Sequence, residues 1–227
     1  PEVVAGDLGV PDSVKFDSKG RIVTTQVASG QVLRLDLVSG TREVLADLGP
    51  GLDNVSFIGD RIFVSSIPGE ITELLGDGKV RSVVPRALQW PLGLAMGADG
   101  ALFVADGTFG YTLQPGGALT LAGMIFYPGC PGYMRGVAAG AQAGEWIIST
   151  GLGAVARYRP GQGESEFLAT GLDQLMGVAV APGGAVVVAE YGTGRLLSIE
   201  NGAVSELATG LDPPMGVALA RDGKAYV

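Results

Sequence analysis

The stretch Met176-Gly-Val-Ala-Val-Ala-Pro-Gly-Gly-Ala-Val-Val-Val-Ala-Glu190 decides the fold, together with its continuation through Tyr191-Gly-Thr-Gly-Arg-Leu-Leu-Ser-Ile-Glu200 to Ala208. It contains four short runs parted by glycine- or proline-bearing turns. The first two runs are small and apolar throughout, as strands buried on both faces must be, and the last alternates with charge, as a solvated edge must. Four runs of five or six residues, with turn signals between them, read as a four-stranded antiparallel sheet.

The same pattern lies on either side. A short apolar run recurs at Val14-Lys15-Phe16, Val55-Ser56-Phe57, Leu94-Ala95-Met96, Val137-Ala138-Ala139, Val178-Ala179-Val180 and Val217-Ala218-Leu219, at intervals of 41, 39, 43, 41 and 39 residues. A small residue precedes nearly all of them, Asn54 being the exception. Four strands per unit of about forty residues is the size of a propeller blade. No stretch keeps a 3.6-residue period for three turns without Gly or Pro, so helical repeats are excluded. The expected fold is an all-β, six-bladed β-propeller of four-stranded blades in one domain. The blades are expected at about 11–48, 52–86, 91–126, 134–169 and 176–208. An incomplete sixth would combine 215–227 with an outer strand at 2–8, and the sequence is expected to be an excerpt of a longer chain.

Composition limits the chemistry. The 227 residues include 38 Gly and 13 Pro, and the net charge is −8 with no Lys/Arg cluster, which disfavours a nucleic-acid partner. No apolar run approaches the roughly 18–20 residues of a membrane-spanning helix, so no membrane partner is expected. One Cys excludes an internal disulfide framework. The absence of His removes every His-based nucleophile pair, metal ligand and acid/base. The expected partner is a small-molecule ligand or substrate, and the chain is expected to be a monomer.

Met176–Ile199 and Leu92–Asp106 resemble NHL-type repeats and the regucalcin/gluconolactonase propellers, and more distantly virginiamycin B lyase. Trp-Asp and kelch signatures are absent. Resemblance to the gluconolactonases implies a divalent metal, calcium foremost, at one mouth of the central channel. Its ligands would come from the position before the small residue of each innermost strand. That column reads Asp12, Asp53, Leu92, Arg135, Met176 and Met215. The resemblance implies Asp12, Asp53 and Asn54 as metal ligands, with Asp106 and Glu190 joining from a second ring of strand ends that also holds Gln26, Ser66 and Thr150. Asp12, Asp53 and Arg135 are the candidate catalytic residues. The carboxylates would serve as base and Arg135 would stabilise developing oxyanion charge. Cys130 lies in the long connection Phe126–Met134, whose aromatic residues are expected to form a partial lid. Two functional classes follow: a lactonase-type small-molecule hydrolase, and a non-catalytic ligand- or protein-binding propeller.

Overall fold

The computed structural model describes residues 1–114 and 117–227; Pro115 and Gly116, inside the expected third blade, lie outside the described residues. Each repeat folds as an antiparallel meander in which every strand pairs with its neighbour in sequence. Blade 1 is β1 (Pro11–Phe16), β2 (Ile22–Gln26), β3 (Gln31–Leu35) and β4 (Arg42–Asp47). Blade 2 is β5 (Leu52–Ile58), β6 (Arg61–Ser66), β7 (Glu70–Gly76) and β8 (Lys79–Val84). Blade 3 is β9 (Gly93–Met96), β10 (Leu102–Asp106), β11 (Phe109–Leu113) and β12 (Leu119–Met124). Blade 4 is β13 (Met134–Ala139), β14 (Trp146–Thr150), β15 (Val155–Arg159) and β16 (Glu164–Ala169). Blade 5 is β17 (Leu175–Val180), β18 (Val186–Glu190), β19 (Arg195–Glu200) and β20 (Ala203–Ala208).

The chain is therefore an all-β propeller of four-stranded blades, and five such blades are complete where six were expected. A two-stranded sheet, β21 (Ala218–Leu219) and β22 (Ala225–Tyr226), stands between β17 and β1. The expected outer strand at 2–8 is corrected. No strand forms there: Asp7 and Val10 take positive φ angles of 54° and 58°, outside the extended region. Arg42 meanwhile donates hydrogen bonds to the carbonyls of Gly6 and Asp7.

The core is divided among the blade interfaces. Val23 and Val32 of blade 1 pack with Val55, Ile62 and Val64 of blade 2. Phe103 of blade 3 packs with Met134, Val137, Trp146 and Tyr158 of blade 4. Trp146 and Phe103 lie with ring centroids 4.8 Å apart. Burial of each such large apolar side chain contributes roughly 1.5–3 kcal/mol. The outermost strands are largely exposed, and ion pairs lie toward the outer side of the blades. Glu73 is held between Arg61 and Arg81, and Glu145 between Arg157 and Arg159.

The small residue of each repeat has a steric cause at the axis. A Cβ on Gly93 would fall inside contact distance of the Arg135 carbonyl, and one on Gly136 inside that of the Met176 carbonyl. A Cβ on Gly177 would lie 2.7 Å from the Met215 carbonyl, and one on Gly216 2.8 Å from the Asp12 carbonyl. The backbones of successive inner strands thus nearly touch. In blades 1 and 2 polar side chains replace the glycine and bond across instead: the Ser13 hydroxyl accepts from the Val55 N–H at 3.1 Å, and the Asn54 amide donates to the Leu92 carbonyl at 3.2 Å.

Candidate functional site at the channel mouth

The inner strands β1, β5, β13 and β17 each carry a register shift at the same place, between Pro11 and Val14, Leu52 and Val55, Met134 and Val137, and Leu175 and Val178. Such bulges bend a strand and re-aim its side chains. The bulged residues include Asp12, Asp53, Arg135 and Met176, so the irregularity falls on the candidate column. Hydroxyls brace it. Thr25 donates to the Asp53 carbonyl at 2.5 Å and shares a 3.0 Å hydrogen bond with Ser13. Ser149 likewise donates to the Met176 carbonyl at 2.5 Å and accepts from the Gly136 N–H at 2.9 Å.

The structure brings Asp12, Asp53 and Arg135 into one electrostatic unit. Burial pushes the Asp12 carboxyl from its ordinary 3.8 up to about 7. Asp53 is raised well above 3.8, first by burial and then by the negative charge of Asp12, against a lowering pull from Arg135. Two carboxyls so placed oppose each other's ionisation, which favours a protonated form of the pair. Arg135 makes no ion pair among the described residues. Its Nη1 lies 2.9 Å from the Met176 thioether, a weak acceptor, and its Nε has no partner.

Other polar atoms at this end are also unpartnered. Five buried side-chain polar atoms lack a hydrogen bond among the described residues: Gln26 Oε1, Arg34 Nε, Asn54 Oδ1, Ser66 Oγ and Arg135 Nε. Four of them belong to the candidate column or the strand ends beside it; Arg34, next to Asp17, is the exception. Buried polar groups without partners are rare in folded proteins and cost stability wherever they occur.

Asp106 and Glu190 do not join this unit. Asp106 accepts from the backbone N–H groups of Gln89 at 2.9 Å and Trp90 at 2.5 Å, anchoring the connection between blades 2 and 3. Glu190 accepts from the Asp173 N–H, Thr193 and Arg195, which hold it below its ordinary value although burial alone would raise it. Both carboxylates tie loops in place. Thr150 accepts from the Ala154 N–H in its own turn.

The connection before β13 contributes one aromatic residue here. Tyr133 lies against Gly107 and Gly151, where the Arg135 Nε also approaches. Phe126 is 87% exposed and Gly129 packs against Gly163 of blade 4, so the rest of the expected lid stays at the periphery. Burial raises the Cys130 thiol, and its sulfur lies 3.7 Å from the Gly132 carbonyl.

A hard divalent cation requires several oxygen ligands. The column offers two carboxylates and the Asn54 amide oxygen, followed by Leu92, Arg135, Met176 and Met215. No group of three or more Asp, Glu, His or Cys side chains could hold a metal among the described residues. The donor set does not fit such an ion, because a guanidinium stands where a further anionic ligand would be needed.

No family model matches the chain, and no curated protein matches it significantly by sequence. Solved structures do match in shape. A streptogramin B lyase superposes with a TM-score of 0.71 at 15% identity, over 98% of this chain and 91% of the other. A protein assigned as a gluconolactonase gives 0.74 at 15% identity, over 99% and 87%. A chain of a nidogen/laminin complex gives 0.79 at 14% identity, over 92% and 84%. The families that the repeats resemble are thus among the structural neighbours, and at these identities what is shared is the propeller fold.

Proposed function

We propose that the Asp12–Asp53–Arg135 mouth binds a small hydroxylated carbonyl compound and hydrolyses it as a lactonase-type enzyme. The observation that supports this reading is the concentration of unpartnered polar atoms around a carboxyl pair whose ionisation burial opposes. Asn54 Oδ1 and Gln26 Oε1 are acceptors suited to ligand hydroxyls, and Arg135 Nε is a donor suited to a carbonyl oxygen.

In this reading the ionised member of the pair takes a proton from water as the water oxygen bonds to the ester carbon. Arg135 stabilises the resulting oxyanion. The protonated member then delivers its proton to the leaving alkoxide as the C–O bond breaks, giving an acid and an alcohol. A carboxyl near 7 suits both directions of transfer at neutral pH.

Proton release measured across a panel of lactones and aryl esters tests the proposal. Asp12→Asn and Arg135→Met are expected to lower the rate by about 10²-fold or more, within the range for positioned acid–base and oxyanion groups. Wild-type rates equal to those of both variants on every substrate would exclude hydrolysis here. The second reading, a non-catalytic binding propeller, is favoured by the poor fit of the column to a metal. It is distinguished by ligand binding that persists with no turnover.

We also infer that β21 and β22 are the inner half of a sixth blade. Gly216 approaches the Asp12 carbonyl as Gly136 approaches that of Met176, which gives β21 an inner-strand station in the ring.

A further inference from the structure

One layer below the carboxyl pair, the inner strands present a second ring of equivalent positions. The registers are the same throughout: Lys15 pairs with Val23, Ser56 with Phe63, Ala95 with Phe103, Ala138 with Ile147, Ala179 with Val187 and Ala218 with Tyr226. Five of these six stations are Ser or Ala, and the remaining one is a lysine. Lys15 shares its face of blade 1 with Val23, which packs into the core between blades 1 and 2, so β5 is the strand opposite it. There Val55 and Phe57 are apolar members of that interface, and the one charged residue of β5 is Asp53, three positions away from Ser56 in sequence. The other charged residue of β1 is Asp12.

Lys15 makes no ion pair and no hydrogen bond among the described residues. The other lysines, Lys19, Lys79 and Lys224, are exposed. Burial brings the Lys15 ammonium down to about 8. Lys15 is part-buried yet open to solvent, so its ammonium is crowded by protein, has no counter-charge among the described residues, and can be reached by an incoming anion. At the five other stations the side chain ends at Cβ or Oγ, so Lys15 is the one side chain of the ring long enough to reach away from its strand.

We propose that Lys15 is the anion-recognition residue of the channel and receives a carboxylate of the bound molecule. This rests on the hydrolase reading for the identity of the ligand, and it narrows the substrate to a carbonyl compound that also carries a carboxylate. Lys15 lies three residues along β1 from Asp12, at most about 10 Å at the rise of an extended strand and less across the bulge between Pro11 and Val14, which bounds the reach required between the two groups.

The test uses hexanoate and its uncharged counterpart hexanamide as probes. The four lysines are acetylated with acetic anhydride at pH 8, and each site is quantified by mass spectrometry. Hexanoate is expected to slow acetylation of Lys15 several-fold relative to hexanamide while leaving Lys19, Lys79 and Lys224 unchanged. Calorimetric affinity for hexanoate should fall about tenfold or more in Lys15→Met and largely recover in Lys15→Arg, as loss of a charge-assisted hydrogen bond implies. Lys15→Ala places at this station the residue found at four others, so a thermal melt of that variant separates loss of the ammonium from loss of the fold. Equal protection by the two probes, or unchanged hexanoate affinity in Lys15→Met, overturns the proposal even if lactones are hydrolysed. Selective protection in a protein that hydrolyses no lactone upholds the anion site and removes the hydrolase reading.

Discussion

Replacing Asp12 by Asn should stabilise the protein, and the effect should grow with pH. Burial raises the folded-state Asp12 carboxyl from 3.8 to about 7. Below pH 3.8 the residue is protonated in both the folded and the unfolded chain and contributes no difference. Between about pH 4 and 7 the unfolded chain gives up this proton while the folded chain holds it, so stability drains away as pH rises and then levels off above 7. At 1.36 kcal/mol per unit, the full displacement corresponds to about 4 kcal/mol. Asn is also polar and must itself be accommodated, so a net gain of roughly 2–4 kcal/mol at pH 8 is expected, with little or none at pH 4. Removing the Asp12 charge also relieves Asp53, whose carboxyl that charge helps to raise. Urea unfolding of both proteins at pH 4, 6 and 8 measures the difference directly, because titrations elsewhere in the chain cancel. A wild-type-to-variant difference that is flat across that range would refute the placement of Asp12 in a desolvated carboxyl pair. A difference that shrank with rising pH would refute it equally.

Two further outcomes follow from the geometry. Gly136→Ala puts a Cβ against the Met176 carbonyl, 2.8 Å from Ser149 Oγ and 3.1 Å from Gly177 Cα, and should destabilise by about 3 kcal/mol in urea titration, whereas Gly183→Ala, with nothing within 4 Å, should change little. Thermal melts with saturating calcium, manganese or zinc should show no stabilisation, given the donor set at the mouth. A shift corresponding to about 2.7 kcal/mol, the linkage expected at a hundredfold excess over the dissociation constant, would show that an ion binds after all.

The blades could be read from the chain because their signal is local and repeated. The five full repeats expected from the recurring apolar runs each fold as one four-stranded meander. The column Asp12, Asp53 and Arg135 was also legible, since shared register carries equivalent residues to equivalent places. Asp106 and Glu190 look the same from their strands, but the carboxylates are claimed by backbone N–H groups seventeen and sixteen residues before Asp106 and by Arg195 five residues after Glu190. Strand pattern is silent about such partners. Residues 2–8 misled for a related reason: two adjacent valines suggest a strand, but a strand needs an edge to pair with, and here the backbone turns away at Asp7 and Val10. Lys15 was visible in the aligned runs as the one long side chain among Ser and Ala, yet its lack of a counter-charge emerges only in three dimensions.

Every strand in the propeller pairs with the strand next to it in sequence, across turns of a few residues. Each blade can therefore assemble early from neighbouring hairpins, with little loop-closure entropy to overcome. Joining the two ends of the series is different, since β21 must find β1 across about two hundred residues. What fastens that joint is modest: the backbone approach at Gly216, an edge-on contact between Phe16 and Tyr226 at 5.3 Å, and a 3.4 Å hydrogen bond from Arg221 to the Ser18 carbonyl. Ring closure is thus expected to be the last event in folding and the first to reverse. In hydrogen exchange the amides of β21 and β22 should open well before those of β14 and β18, whose residues are buried throughout. Asp12 sits on the strand at that joint, so the spacing of the carboxyl pair is tied to how tightly the ring is fastened.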